Sequence, residues 1–140
     1  GAAFQVTPLR DESFVLLVPK KHPLARRRLP KLAELAKEAF VFYKGRARDV
    51  AQAACRAAGF EPRTACESGE LETIRSLVAA DLGIALLPEL AARGSVPGCA
   101  LVRLGGAPIR RSVALLQRKG QELSPAAQSF RRLLIGEAVA

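Results

Sequence analysis

Tryptophan is absent from this chain, tyrosine and histidine occur once each, and cysteine occurs three times. With so few large aromatics there is little to stack on bases, which argues against direct nucleic-acid recognition by this segment. One His cannot be joined with the dispersed Cys55, Cys66 and Cys99 into any usual zinc spacing, so no metal is expected. Nor do a nucleophile, a base and an orienting group converge, so neither a catalytic residue nor an enzyme is expected. His22 lies in a loop with prolines and reads as a turn residue. Three cysteines without C-x-x-C spacing make no disulfide framework, fit a reducing compartment and read as small buried hydrophobes. Gly105-Gly106 lacks the rest of a phosphate loop, and no cofactor is expected. The apolar runs are far shorter than the roughly 20 residues of a membrane helix. The start GAAFQVTPLRDE has no basic region leading into an apolar core, so the expectation is neither a signal peptide nor a membrane, and a cytoplasmic location.

What the chain does hold is ordinary globular material: 140 residues, 49% hydrophobic and 25% charged, enough for one domain. Twenty-two Lys and Arg against thirteen Asp and Glu give a net charge of +9, which raises the nucleic-acid question. The cations are scattered except for Lys20, Lys21, Arg26, Arg27, Arg28 and Lys31. That run reads as a solvated loop in preference to a phosphate track.

Hydrophobic periodicity alternates between strand and helix. Phe4 to Leu9 reads as a strand, Arg10 to Ser13 as a polar turn, and SFVLLVP at Ser13 to Pro19 as a strand buried on both faces. A short helix over Leu29 to Lys37 and a strand over Phe40 to Tyr43 follow. From Asp49, Val50, Ala53, Ala54, Ala57 and Ala58 trace a narrow helical stripe ending at Gly59, and Arg63 to Cys66 reads as a strand. In ESGELETIRSLVAADLGIALLP, Leu71, Ile74, Leu77 and Val78 make one apolar stripe. Asp81 and Gly83 stop that helix, and Ile84 to Leu87 read as a buried strand. After a brief helix at Glu89 to Gly94 comes a Gly/Pro-rich connector with a strand at Ala100 to Leu104. A strand at Arg111 to Gln117 and a helix capped by Ser124 and Pro125 close the chain. This alternation implies an α/β fold with a mainly parallel sheet flanked by helices.

The string ETIRSLVAADLGIALLP resembles a signature of the effector-binding domain in LysR-type transcriptional regulators, with Asp81 where the family usually has Gly. SFVLLVP leading to His22-Pro23-Leu24-Ala25, and Gly59-Phe60-Glu61-Pro62, are similar to two further steps of that family in the same order. The resemblance implies a periplasmic-binding-protein type II-like subdomain at about 10–98. It implies that about 1–9 and 99–140 are the crossover strands and C-terminal helix of a largely missing first subdomain, so the chain is expected to be a piece of a longer protein. It further implies a homo-oligomer that senses a small, anionic metabolite in a cleft between subdomains and reaches DNA only through an N-terminal domain outside this segment. A solute-binding protein of the same fold serving a transporter is the alternative, and a basic nucleic-acid-binding module a second one.

The candidate site follows from both lines. Tyr43 to Asp49 leaves a strand and enters a helix, where unpaired backbone N–H groups and the helix dipole favour an anion, and Lys44, Arg46 and Arg48 add charge. In the resembling family this segment and the helix start after Glu67 face the cleft. The implied effector-binding residues are Tyr43, Lys44, Arg46, Glu67, Ser68, Gly69 and Glu70. Because Glu67 and Glu70 oppose Lys44 and Arg46, an acid that also carries a donor is the expected ligand. The peroxide sensors of the family carry two cysteines nine residues apart in this region. Cys55 matches the second, but Arg46 occupies the first, so a sulfenate-forming thiol is missing there.

Overall fold

The computed structural model describes residues 3–94 and 96–139, with side chains to residue 136. Ser95, in the Gly/Pro-rich connector, and residues 1–2, in the first expected strand segment, lie outside the described residues. Two units emerge, Ser13–Arg110 and a second made of Gly1–Glu12 with Arg111–Ala140.

In the larger unit, β1 (Phe4–Pro19) contributes its second half, Ser13 onwards, to a sheet. There it lies between β4 (Ala85–Pro88) and β5 (Cys99–Val102), with Val15 opposite Leu87 and Leu17 opposite Leu101. β2 (Ala39–Tyr43) and β3 (Arg63–Ser68) pair in parallel, and Ile84 bridges in parallel to Phe40 just before β4. Consecutive strands are joined by α1 (Arg46–Ala57) and α2 (Leu71–Ala79). The expectation of a mainly parallel sheet is therefore corrected at β1, whose ladders to β4 and β5 are both antiparallel. Strand and helix alternation predicts a parallel direction only for strands linked by a helical crossover, here β2 to β3 and β3 to β4, and β2 lies between the other two, paired with β3 and bridged to Ile84. β1 meets neighbours about seventy and more residues away with no such crossover to set its direction.

The sheet is covered on both faces, as the uniformly apolar Ser13–Pro19 requires. Phe14, Leu16 and Val18 join Phe40, Phe42 and Ile84 with Ala47, Ala51 and Cys55 of α1 in one cluster. Val15 and Leu17 point the other way and join Val41, Ala85 and Leu87 with Ile74 and Val78 of α2. Ile74 and Val78 are fully buried, a burial that stabilises by about 1.5–3 kcal/mol per side chain. The turn between α2 and β4 uses its two special residues differently. Asp81 takes the left-handed conformation at φ 63. Gly83 is needed for close approach, since a Cβ there would sit 2.8 Å from the Ala39 carbonyl oxygen.

Three local expectations shift. Leu29 to Lys37 is not an α-helix but a single 3-10 turn at Leu32–Leu35, because Pro30 keeps Leu29 out of the helical region and Leu29 sits at φ 52. α1 starts at Arg46 and buries Ala47, Ala51 and Cys55 rather than the Ala53/Ala57 edge. In so Ala-rich a helix, periodicity barely distinguishes one face from the next. The polar turn expected at Arg10–Ser13 is strand, within the continuous β1.

The smaller unit explains that last difference. Its half of β1 pairs with β6 (Arg110–Arg118), and the polar residues find partners across the ladder. Arg111 Nε donates to Glu12 at 2.9 Å and Ser112 Oγ to Asp11 at 2.9 Å. Glu12 is buried, so its charge is tolerable only with such a partner. α3 (Pro125–Val139) begins where expected, with the Ala127 N–H donating to Ser124 Oγ at 3.1 Å.

Candidate functional site

The parallel pairing of β2 and β3 sets Tyr43 opposite Ser68. The Lys44 N–H then donates to the Ser68 carbonyl at 2.9 Å. The two segments singled out from sequence are thus hydrogen-bonded neighbours at the C-terminal ends of adjacent strands. Each runs directly into a helix. Gly45, at φ 106, caps α1 without any side-chain hydrogen bond, and Glu70 caps α2, likewise without one. First-turn N–H groups of both helices are left without side-chain caps at this end of the sheet, where the helix dipoles favour negative charge.

Around them the side chains divide into free and committed groups. Lys44 and Arg46 are exposed, and among the described residues neither forms an ion pair. Tyr43 and Ser68 are half-buried. Ser68 Oγ accepts from the Glu70 N–H at 3.0 Å, which leaves its own proton available to a ligand. Glu67 is committed to Arg48, whose Nη1 donates to it at 3.3 Å while Nε donates to Asp49 at 3.2 Å. These bonds, to Glu67 first and then Asp49, raise the Arg48 pKa above its ordinary value. Gly69 and Glu70 are exposed.

Arg48, which the sequence groups with Lys44 and Arg46 as a charge for the anion, is instead bound to Glu67 and Asp49. It is nineteen residues from Glu67, on a different element, and only the β2/β3 register brings the two together. The consequence is electrostatic: Glu67 is offset by Arg48, so of the two carboxylates expected to oppose Lys44 and Arg46 only Glu70 remains open. Cys55, on the buried face of α1, has its thiol pKa pushed up to about 11, chiefly by desolvation. It is held neutral rather than activated.

A profile of the LysR substrate binding domain matches residues 1–138. The chain belongs to that family. Among curated proteins it is 32% identical over 130 residues to the transcriptional dual regulator GltC of Bacillus subtilis, covering 91% of this chain and 43% of GltC. It is 40% identical over 91 residues to the DNA-binding transcriptional dual regulator OxyR of Escherichia coli, covering 64% of this chain and 30% of OxyR. The LysR segment thus spans less than half the length of either relative. Among solved structures, the Synechocystis CcmR regulatory domain in complex with 2-PG superposes with a TM-score of 0.81 at 25% identity, over 97% of this chain and 67% of that one. The fold is therefore that of the LysR effector-binding domain, periplasmic-binding-protein-like. These relatives are regulators of transcription and not enzymes, and they lend no support to the transporter-serving alternative. Among the described residues no helix is long and apolar enough to cross a membrane.

Proposed function

We propose that this LysR domain senses a small anionic metabolite at the C-terminal ends of β2 and β3. The carrying observation is the convergence of two helix N-termini with the unpaired Lys44 and Arg46. An acid group of the effector is held by Lys44, Arg46 and the first-turn N–H groups of α1. Ser68, Gly69 and the open Glu70 at the start of α2 read the rest of the molecule, with Tyr43 forming a wall. Because Glu70 accepts and does not donate, the preferred ligand combines an acid with a hydroxyl or amino group. The bound 2-PG of the CcmR domain supports an anionic ligand on this fold. Occupancy acts on transcription only through differential affinity for two arrangements of the parent protein. That parent is a cytoplasmic homo-oligomer contacting DNA through a domain outside this segment, and the unit Ser13–Arg110 is its effector-facing subdomain.

Calorimetry of the parent protein against 2-PG and a panel of hydroxy and amino acids tests the reading. Arg46→Ala lowers affinity for the acid that binds by about tenfold or more, the scale of a charge-assisted hydrogen bond of roughly 1.5–3 kcal/mol. Unchanged affinity in a variant with an intact circular dichroism spectrum removes Arg46 from the site.

A further inference from the structure

At the opposite end of the sheet from the effector site, β1 runs out at Pro19 into the basic loop. β1 is antiparallel to β4, and β4 runs with β2, so the end of β1 lies beside the strand starts, away from Tyr43 and Ser68. The basic side chains of this loop are solvated, as its sequence suggests, but its backbone is pinned. The Lys20 N–H donates to the Gly98 carbonyl at 2.8 Å and the His22 N–H to Pro19 at 2.9 Å. His22 Nδ1 accepts from the Leu24 N–H at 3.0 Å, its Nε2 meets Glu38 at 3.1 Å, and Leu24 is buried as an anchor. Downstream, the Gly105 N–H donates to Pro30 at 3.0 Å, and Gly105 packs so closely on Leu29 that a Cβ would not fit.

On this pinned backbone Lys20, Lys21, Arg26 and Arg28 are all exposed, and among the described residues none has an ion-pair partner. The nearby carboxylates Glu34 and Glu38 are engaged by Arg27 and His22. Elsewhere Arg48, Arg56, Arg75, Arg103 and Arg111 each meet a carboxylate. These four exposed cations lie on one short loop. A hollow of about 520 Å³ lined by Lys20, Lys21 and His22 opens beside them, with Asp81 its one carboxylate, so the loop carries a surplus of positive charge that attracts a polyanion. No aromatic side chain lines it, so unstacked bases have nothing to stack on, and a regular array of backbone phosphates fits better than a single strand.

We infer that the face formed by Lys20, Lys21, Arg26 and Arg28 is a sequence-independent contact for the phosphate backbone of duplex nucleic acid. It is separate from the effector site, at the other end of the strands. Its energetics are those of counterion release, with affinity falling steeply as salt rises.

Fluorescence anisotropy with a labelled random-sequence DNA duplex, titrated at several salt concentrations, tests it on the chain as it stands. The variant K20Q/K21Q/R26Q/R28Q is compared with R118Q/K119Q/R131Q/R132Q, which removes the same charge from the smaller unit. The face variant lowers the slope of log affinity against log salt by about three to four, close to 0.9 per lost phosphate contact, while the control barely changes it. K20Q/K21Q and R26Q/R28Q each give about half that loss, which separates the effect from misfolding of the quadruple variant. Equal losses in face variant and control mean diffuse charge and overturn the assignment. So does a face variant that loses binding to poly-glutamate but keeps its duplex affinity, which assigns the face to an acidic protein.

Discussion

The larger and smaller units of this chain solve the burial problem differently. Every buried hydrophobic side chain among the described residues, from Phe14 to Val102, belongs to Ser13–Arg110. β1 there supplies both faces of a sheet and a helix closes each face. In the smaller unit β6 alternates between exposed and half-buried residues with none fully buried, and α3 leaves Phe130 61% and Leu133 64% exposed. Along its groove Leu115, Leu123, Ala127 and Phe130 line a hollow of about 220 Å³ that no described residue fills. The larger unit thus has a core of its own, whereas the smaller presents apolar surface of the kind that a further element or a second copy covers.

Truncation of an aromatic on each side sharpens that contrast most. Phe40, fully buried and stacked on Phe42 at 5.5 Å, loses about 3–5 kcal/mol on Phe40→Ala, whereas Phe130→Ala costs about 0.5 kcal/mol or less. Urea denaturation followed by circular dichroism measures both, and equal losses would break the distinction between the units. Next in size is Gly83→Ala. Its Cβ would crowd both the Ala39 carbonyl and Val41 Cγ2 at 3.1 Å, so β2 or the turn must move, at about 1–3 kcal/mol.

The exposed face of α3 gives a third test. With Phe130 and Leu133 exposed, the expected outcome is self-association that the double replacement of both by Glu shifts toward monomer in light scattering across a concentration series. A chain already monomeric at high concentration shows that this face has no copy as its partner.

The smallest effect is a pH dependence confined to the larger unit. Cys55 ionises at about 11 in the fold against an ordinary 9.0. Between those values the unfolded chain has released a proton that the folded chain retains. Stability is therefore complete below about pH 9 and declines as pH rises toward 11. The decline is smaller in Cys55→Ala, measured by thermal melts from pH 8 to 11. At neutral pH Cys55 is also the slowest of the three thiols to be labelled, because Cys66 and Cys99 are only half-buried.

Local chemistry made much of this legible beforehand. The stripe of Ile74 and Val78, the left-handed Asp81, the two-faced strand from Ser13 and the Ser124 cap all depend on residues within a few positions of one another, where side-chain period and backbone preference act directly. The segments of the candidate site were legible for the same reason, since a strand end running into a helix start is a local pattern.

Tertiary structure alone decided what depends on distant partners. The direction of β1 is set by β4 and β5, about seventy and more residues away, and no crossover helix announces it. Arg10 to Ser13 reads as a turn until Arg111 and Ser112 offer Glu12 and Asp11 their bonds. The charge on Glu67 looks available to a ligand until the β2/β3 register brings Arg48 to it. In each case the polar or backbone group has several chemically equivalent partners along the chain. Only the fold selects which one lies within hydrogen-bonding distance.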